Sequence, residues 1–529
     1  MKRIKPVFFK LSHRPRTDII AFLLTIAGFL AAAIVTQRIY EGIPHIEDEI
    51  AYVWQAKALS EGHLTVASPA HPHSFLVPFV VDYQGERFGK YPPGWAALLA
   101  FAILVGARAW INPLLAGLGV WLTYQLGKRF FDPLVGLLAA GLTVTSPFFM
   151  INSGSLLSHP FGLVLSSLFA LGWLEAFWER KPDEPGELPI DSRKRWMFIV
   201  LSALSLGVLI LTRPMTALAV AIPFAIHGLY LLLRGSARSR LQLLVFCLVA
   251  ILFIGLYLLW QYSLTGDAFL NPYTLWWPYD KVGFGPGFGN TSTGHTVDLA
   301  WLNTRLSLDS GSSDLFGWGR FSWIFLPFGL WATRRNPKGL LIGSVFVSLV
   351  LVYMTYWIGS TLFGPRYYYE GLYSLTLITA AGITWLAGWS GNLGHRFVRY
   401  SGWRRLRPLL VTLILGVLVG INLILYLPIR LDGMFGLYSI ERADQAPFLT
   451  SSTRPLTPAL VIVHIARWME YGALLDLEDP KLTTPFIFAW SSDPVTDASL
   501  AGDFPGRTVY HYYPGGPFQL YREPLPVPE

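Results

Sequence analysis

Three acidic side chains stand together where a long apolar segment of the chain has just ended. Glu47, Asp48 and Glu49 follow the apolar residues 18–37 and precede "IAYVWQAKAL", which has helix-forming character. Capping of a helix start explains one or two carboxylates there, and Asp48 is the residue expected to cap. Three are more than capping needs, so we expect a general base or part of a cation site in this segment.

Two basic residues occupy segments that could hold an anionic ligand. Lys90 stands before two prolines in "GERFGKYPPGW", and Arg366 precedes three tyrosines in "FGPRYYYEG". An ammonium or guanidinium group at headgroup depth suits a lipid-borne phosphate, and tyrosines stack on or hydrogen-bond a sugar. The alternatives are a snorkelling lysine and an arginine that anchors an aromatic belt. Arg213, in "LTRPM", makes a weaker case of the same kind.

Histidines supply further polar groups near the same segments. His159 lies in "SLLSHPFG", and His63, His71 and His73 lie in "HLTVASPAHPHSF". Histidines and carboxylates together are zinc ligands, but no tight ligand spacing such as HExxH occurs. The single cysteine, Cys247, excludes a disulfide framework and a cysteine zinc site. The sequence also lacks a GxxxxGK[ST] phosphate loop, so the chain is not its own ATPase.

Membrane-spanning helices are the elements that must position these residues. The chain is 53% hydrophobic and 14% charged, against about 25% charged in a soluble domain. Its apolar residues form blocks of roughly the 17–25 residues that cross a bilayer. Eleven spans are predicted, at residues 18–37, 110–127, 134–150, 161–178, 197–212, 216–233, 241–262, 321–333, 339–358, 371–390 and 409–428. Basic residues punctuate these spans without forming one patch, which gives no support for nucleic-acid binding.

Short basic linkers predict the orientation of the spans. They carry 24 of the 41 lysines and arginines, in residues 1–17, 127–132, 179–196, 234–240, 333–338 and 394–408. The positive-inside rule places these linkers and the N-terminus in the cytoplasm, and the C-terminus outside. Residues 92–106 are apolar but short, and a crossing there would move every later basic linker outside. We therefore predict a juxtamembrane or re-entrant helix at 92–106, and an uncleaved first span in place of a signal peptide.

The predicted fold class is an all-α polytopic membrane protein, with about 11 transmembrane helices, that carries a small C-terminal extracytoplasmic α/β domain. A transmembrane domain at 1–429 would carry outer loops at 38–109 and 263–320, and residues 430–529 would form the second domain. In this tail, "ALVIVHI", "PFIFAW" and "RTVYHYY" are predicted to be short buried strands.

Two outer segments are assigned from their own patterns. Ile50, Val53, Trp54 and Lys57 fall on one helical face, which predicts a helix lying on the membrane surface. Residues 273–295 are rich in aromatics and glycine. They are expected to form either a mobile lid over a site or an interfacial loop.

The motifs "EDEIAYVWQAKALSEGHL", "GKYPPGWAALLA", "SHPFG" and "GPRYYYEG", in this order, resemble those of bacterial GT-C glycosyltransferases. These are polytopic enzymes related to protein O-mannosyltransferases and to the aminoarabinose transferase that modifies lipid A. The resemblance covers residues 18–430 and implies a multi-span protein of the bacterial inner membrane. It implies a polyprenyl-phosphate sugar donor, and transfer of a hexosyl or pentosyl group, typically inverting, to a lipid, glycan or protein acceptor.

The same resemblance implies roles for individual residues. Asp48 and Glu49 match an acidic pair of the first outer loop, with Asp48 the likelier base, and a divalent cation held by this pair is an option. No other cofactor is implied. Lys90 and Arg366 match basic residues that face the carrier phosphate. Substrate contacts are expected from Tyr52, Tyr91, His159, Tyr367, Tyr368 and Glu370. Glu370 departs from the family, in which many relatives place a proline after the tyrosines.

Two other classes of protein remain as alternatives. A lipid-linked sugar flippase or other transporter predicts ionisable residues within the spans near the bilayer midplane, and often an internal repeat. Lysines and arginines instead lie in loops or at span edges, and no repeat is visible. A receptor whose tail binds a ligand would need far fewer spans as an anchor. The grouping of the motifs on one predicted face favours chemistry at the membrane surface.

Overall fold

The computed structural model describes residues 16–178, 192–389 and 403–526. Helices form most of it: α1 Arg16–Arg38, α2 Glu47–Ser60, α3 Pro93–Leu104, α4 Ile111–Phe130, α5 Pro133–Val144, α6 Pro147–Ser153, α7 His159–Phe177, α8 Ser192–Ile210, α9 Pro214–Arg234, α10 Ala237–Thr265, α11 Pro272–Trp276, α12 Val297–Asp314, α13 Leu326–Thr333, α14 Pro337–Tyr353, α15 Leu372–Ala387, α16 Trp403–Ile421, α17 Leu427–Asp432 and α18 Pro494–Asp503. The strands are β1 Val66–Ala67, β2 Val80–Tyr83, β3 Glu86–Gly89, β4 Ala459–Val463, β5 Phe486–Trp490 and β6 Thr508–Tyr512.

Every predicted span contains helix, but not every helix has the length of a span. Within the described residues, five helices are long and apolar enough to cross a bilayer, namely α1, α7, α9, α10 and the run that includes most of α16. A sixth is added if α5 and α6, which meet at a 62° bend, count as one span. Some of the helices in the other predicted spans are too short to cross a bilayer. Helix α13, for example, has 8 residues, a length of about 12 Å. The predicted count of eleven spans is therefore not confirmed.

The short apolar helix α3 is the element that decided the predicted orientation. It has 12 residues, which rise about 18 Å against a hydrocarbon core of about 30 Å. Its N-terminus is tied to the bundle, because the Gly94 amide donates to the Leu211 carbonyl at 2.7 Å. The Trp95 indole donates to the Leu156 carbonyl at 3.0 Å. As predicted, α3 is too short to span.

Two small sheets lie on the side of the outer loops. Strands β1, β3 and β2 form an antiparallel sheet in that order, which brings Lys90 to the end of β3. Strands β5, β4 and β6 form a parallel sheet in that order, at the three segments where strands were predicted. Val461 and Phe488 of this sheet share a hydrophobic core with Ile50 and Trp54 of α2. The tail is thus packed against the first outer loop.

Helix α2 is buried between the bundle and the tail. Ala51 and Tyr52 belong to the core of the bundle, whereas Ile50 and Trp54 face the tail. The Lys57 ammonium donates to the carbonyls of Asp476, at 2.6 Å, and Glu478, at 2.8 Å. The predicted position on the membrane surface is therefore wrong. An apolar helical face has the same sequence pattern whether lipid or another part of the protein covers it.

The two ends of the bundle differ in charge. Helix α7 has 19 residues, so about 27 Å of helix separates His159, near the outer-loop motifs, from Phe177. At the Phe177 end, Lys128, Lys194 and Lys338 line one pocket. Cations of three predicted basic linkers, 127–132, 179–196 and 333–338, thus meet at the end away from the motifs. Linker residues 1–15, 179–191 and 394–402 lie outside the described residues, and the cytoplasmic assignment of this end stays a prediction.

Candidate active site

A cavity of about 370 Å³ lies among the outer loops. It is bounded by segments far apart in sequence: the start of α2, the end of β3, the start of α9, the segment around α11 and the 3₁₀ helix Arg366–Gly371. Aromatic side chains are the largest group in its wall. Its charged lining consists of three carboxylates and three cations, Glu47, Asp48, Asp280, Lys90, Arg213 and Arg366. This mixture suits a ligand with an anionic group and a polar ring.

Glu49 is used to hold the start of α2 in place. One carboxylate oxygen accepts from the amides of His45, at 2.8 Å, and Ile46, at 3.4 Å, and the other accepts from the Leu156 amide at 2.7 Å. The side chain is fully buried and does not line the cavity. Burial raises the pKa of Glu49 to about 7, while the amide donors oppose the rise. Glu49, and not Asp48 as expected, is the capping carboxylate.

This placement predicts that Glu49→Gln destabilises the protein without removing a reacting group. The Gln amide nitrogen would face at least one backbone N–H, and one unsatisfied buried donor costs about 2 kcal/mol of the free energy of unfolding. We expect a lower thermal unfolding midpoint in detergent. The catalytic activity per folded molecule should be unchanged. A variant that unfolds at the wild-type temperature but is inactive would show that Glu49 takes part in the chemistry instead.

Asp48 faces the cavity from the next position of the helix. The Tyr91 hydroxyl donates to one of its carboxylate oxygens at 2.8 Å, and the Arg366 guanidinium lies 3.6 Å from the other. The side chain is half-buried. Burial opposes its ionisation, but Arg366, Tyr91 and Lys90 together outweigh burial and hold the pKa of Asp48 below its usual value. Asp48 is thus an oriented, ionised carboxylate that a ligand in the cavity can reach.

Lys90 is enclosed by aromatic rings and one carboxylate. Its ammonium lies 3.5 Å from the centre of the Phe79 ring and 4.9 Å from that of Trp277, and 3.4 Å from Asp280. Burial lowers the pKa of Lys90, and Asp280 and Asp48 limit the decrease. The sequence did not single out Asp280, although it lies in the aromatic segment 273–295 that was predicted to border a site. Lys90 therefore lines the cavity as predicted, but with a carboxylate partner.

Glu370 and His159 lie behind the cavity wall and not in it. The His159 ring and the Arg213 guanidinium each approach the same Glu370 carboxylate oxygen at 3.1 Å. Arg213 also donates to the Ser158 and Tyr353 hydroxyls at 3.2 Å. Glu370, which His159 also contacts, thus holds Arg213, and Arg213 does line the cavity. The unexpected glutamate after the tyrosines has a partner in this arginine.

The predicted tyrosines separate into two groups. Tyr52 and Tyr91 line the cavity with their ring centres 4.5 Å apart. Tyr367 also lines it and stacks on Tyr353 at 4.9 Å. Tyr368 does not line the cavity, and its ring packs instead against Phe346, with the ring centres 5.8 Å apart. Consecutive residues of a tight helix point in different directions, so only part of a tyrosine run can reach one cavity.

Further residues that line the cavity were not assigned individual roles from the sequence. Glu47 lies beside Asp48, and burial raises its pKa, with a further contribution from Asp48. Trp277 and Tyr273 follow from the segment around α11. Tyr438 comes from the start of the tail, with its backbone in the left-handed region at φ +59°. Residues other than glycine and asparagine are uncommon in that region. The backbone is therefore strained at Tyr438, where the start of the tail completes the cavity wall.

Comparisons with known proteins agree on the architecture. Residues 97–270 match the family model described as Oligosaccharyl transferase STT3, N-terminal. The structure is similar to ArnT from Cupriavidus metallidurans bound to undecaprenyl phosphate, with a TM-score of 0.56 and 13% identity over 94% of this chain and 89% of that chain. ArnT in the apo state matches with a TM-score of 0.56 and 14% identity, over 94% and 90%. ArnT is a GT-C enzyme. The chain has a GT-C fold.

Two further findings complete the comparison. The oligosaccharyltransferase AglB from Archaeoglobus fulgidus, in complex with an inhibitory peptide and a dolichol-phosphate, matches with a TM-score of 0.49 and 13% identity, over 90% of this chain and 64% of that chain. No curated protein sequence matches the chain. The fold that the GT-C resemblance predicted from four ordered motifs is confirmed, and the described residues are mostly helical, with five helices long and apolar enough to cross a bilayer.

A divalent cation needs several carboxylate or histidine ligands that point at one place, and the described acidic residues of the cavity do not supply such a set. Asp48 and Glu49 do not fit as a pair of ligands, because the Glu49 oxygens are taken by backbone amides. Nor does the described part of the chain bring together three or more His, Cys, Asp or Glu side chains that could hold a metal ion. His63, His71 and His73 are among these described residues. Asp48 is therefore interpreted through its contacts with Arg366 and Tyr91.

Proposed function

We propose that the chain is a glycosyltransferase that moves a sugar from a polyprenyl-phosphate donor to an acceptor hydroxyl on the outer side of a bacterial inner membrane. The observation that carries this proposal is the Asp48 carboxylate, held 2.8 Å from the Tyr91 hydroxyl in a cavity that also contains Arg366 and Lys90. Undecaprenyl phosphate bound to ArnT, a protein of the same fold, supports the class of carrier.

On the donor side, Arg366 and Lys90 bind the phosphate that links the sugar to the lipid. A guanidinium offers a planar fork to two phosphate oxygens, and an ammonium adds a compact charge. Both cations face carboxylates across the cavity, Arg366 facing Asp48 and Lys90 facing Asp280. The donor phosphate therefore competes with these carboxylates for the cations. The aromatic wall formed by Tyr52, Tyr91, Tyr367 and their neighbours contacts the sugar ring.

The reaction is a single displacement at the anomeric carbon. The acceptor oxygen forms its bond as the bond to the phosphate oxygen breaks, and the electron pair leaves with the polyprenyl phosphate. Asp48 takes the hydroxyl proton. The phosphate gains one negative charge while Asp48 loses one, so Arg366 can interact more strongly with the phosphate as the reaction proceeds. Attack opposite the leaving group inverts the anomeric centre.

Donor binding also changes the pKa of the proposed base, Asp48. Without a donor, Arg366 contributes to keeping the pKa of Asp48 below its usual value, which makes the carboxylate a weak base. A phosphate anion beside Arg366 offsets this charge, so the pKa of Asp48 rises when the donor is present. A general base is most effective when its pKa is near the working pH. The base is therefore strongest when the substrate that needs it is bound.

The transferred group is a hexosyl or pentosyl sugar, and the acceptor is a hydroxyl group of a lipid, a glycan or a protein. Tyr438 places the start of the tail at the cavity wall, so residues 430–529 are proposed to contribute to acceptor binding. The N-terminus is placed in the cytoplasm and the tail outside. No step uses a metal ion, because the chemistry follows from Asp48, Arg366 and Lys90.

The test is sugar transfer by the purified full chain in nanodiscs, supplied with radiolabelled polyprenyl-phosphate sugars and a membrane extract as the source of acceptor. We expect the label to move to an acceptor and free polyprenyl phosphate to accumulate in equal amount. In parallel, proteoliposomes loaded with the same donors measure movement between leaflets. Movement of intact donor without consumption would identify a flippase and overturn the proposal.

A further inference from the structure

A second polar pocket lies at the end of the bundle opposite the candidate active site. Its volume is about 530 Å³, and it forms where α4 and α7 end and α8 and α14 begin. Four cations, Lys128, Arg129, Lys194 and Lys338, line it together with a single carboxylate, Glu175. None of the residues proposed to act in sugar transfer is near it.

Two of the four cations are already paired. Arg129 lies 2.8 Å from Glu175, and Lys128 lies 2.6 Å from Asp18. Lys194 and Lys338 form no ion pair within the residues that the structure describes. Counted over the described residues alone, the pocket therefore has two cations, Lys194 and Lys338, without an ion-pair partner, and an anionic group would pair with them.

An apolar groove continues from this pocket along the lipid-facing surface. It has a volume of about 550 Å³ and runs between α9 and α14, and Trp178 lines both the pocket and the groove. Its α14 wall extends from Pro337 to Leu351, which is about 21 Å of helix. One leaflet of the hydrocarbon core is about 15 Å deep. The groove is thus long enough to hold an acyl chain over the full depth of a leaflet.

The groove offers few polar groups to its occupant. The Ser348 hydroxyl donates to the Ala219 carbonyl at 2.6 Å, and the Ser344 hydroxyl donates to the Leu341 carbonyl at 2.8 Å. At the mouth, the Trp178 ring stacks on His227 at 5.0 Å, and the Lys338 ammonium lies 5.9 Å from the same indole. Tryptophan and lysine at such a boundary are typical of headgroup depth.

We propose that this pocket and groove form a binding site for one anionic glycerophospholipid, such as phosphatidylglycerol. The phosphate occupies the pocket beside Lys194 and Lys338, and one acyl chain lies in the groove between α9 and α14. Charge complementarity selects an anionic headgroup, and the continuity of groove and pocket selects a ligand with both parts. The inference does not depend on the proposed sugar transfer.

The test is native mass spectrometry of the delipidated full chain with added phosphatidylglycerol or phosphatidylethanolamine. We expect one tightly bound phosphatidylglycerol and a clear preference over phosphatidylethanolamine. Lys194→Ala with Lys338→Ala should weaken phosphatidylglycerol binding about 25-fold, because each cation near an anionic headgroup contributes about fivefold. Ser344→Trp, which fills the groove, should lower the binding of both lipids.

Arg234→Ala with Arg335→Ala is the matched control. Both arginines are exposed, lie at the same end of the bundle and are outside the pocket, so this variant should retain the preference. Equal retention of the two lipids by the wild type would overturn the proposal. So would an equal loss in the control and the Lys194/Lys338 variant, or displacement of phosphatidylglycerol from this site by equimolar polyprenyl phosphate.

Discussion

Asp48→Asn should reduce the rate of sugar transfer about 10³-fold, within the range that general bases contribute. Asparagine has the shape of aspartate and can still accept the Tyr91 hydrogen bond seen at 2.8 Å, but it cannot take the acceptor proton. We expect the loss in kcat, with the KM for the donor changed much less, since Asp48 faces the phosphate-binding Arg366 without itself binding the donor. Initial rates with a radiolabelled polyprenyl-phosphate sugar measure both quantities.

Glu47→Gln is the matched control for this experiment. Glu47 lies one residue away and also lines the cavity, but no hydrogen bond or ion pair comparable to those of Asp48 orients its carboxylate within the described residues. We expect a much smaller loss of transfer than for Asp48→Asn. Thermal unfolding in detergent checks that both variants fold. If Asp48→Asn transfers sugar as fast as the wild type, or if Glu47→Gln carries the large loss, Asp48 is not the base.

Arg366→Ala should lower transfer about 10²–10³-fold, the usual cost of removing one group that stabilises a developing negative charge. Arg366→Lys should recover part of this loss, because lysine keeps the charge but lacks the planar fork. The effect on kcat/KM should exceed that on kcat, since the arginine contacts the donor phosphate before and during the reaction. Rates at several donor concentrations separate the two.

The same variant changes the pH dependence in a defined direction. Burial raises the pKa of Asp48 and Arg366 is the strongest group that lowers it, so removing Arg366 raises this pKa. An acid must be deprotonated to act as a base, and the acid limb of kcat/KM against pH should therefore move to higher pH. Arg305→Ala, at an exposed position outside the cavity, should not shift the acid limb of kcat/KM against pH. An unmoved limb in Arg366→Ala would contradict the Asp48–Arg366 coupling.

Local patterns were sufficient for much of the architecture. Apolar blocks of membrane length marked the positions of helices, because a bilayer demands long apolar segments. Alternating and β-branched residues marked β4, β5 and β6 in the tail. The short apolar run at 92–106 corresponds to α3, a helix of only 12 residues, and its position relative to the bilayer stays a prediction. The membrane-surface position of α2 was wrong, because the sequence does not say what covers an apolar face.

The contacts in the cavity could not be predicted from local sequence patterns. Lys90 and Asp280 are 190 residues apart and form an ion pair only because β3 and the segment after α11 are packed together. Arg213 reaches the cavity with Glu370 behind it, although the sequence made Glu370 the substrate-binding residue and Arg213 the weaker candidate. No spacing rule joins such residues, since their contact depends on how whole helices pack.

The acidic triplet states this division most clearly. The sequence by itself predicted a carboxylate capable of chemistry at 47–49, and it correctly placed these residues at the start of a helix. It did not determine which carboxylate, because successive helical residues point about 100° apart. The Leu156 amide, supplied by a distant loop, takes Glu49 out of the cavity, and Arg366 and Tyr91 hold Asp48 in it. Residue type set the available chemistry, and tertiary contacts assigned it to one side chain.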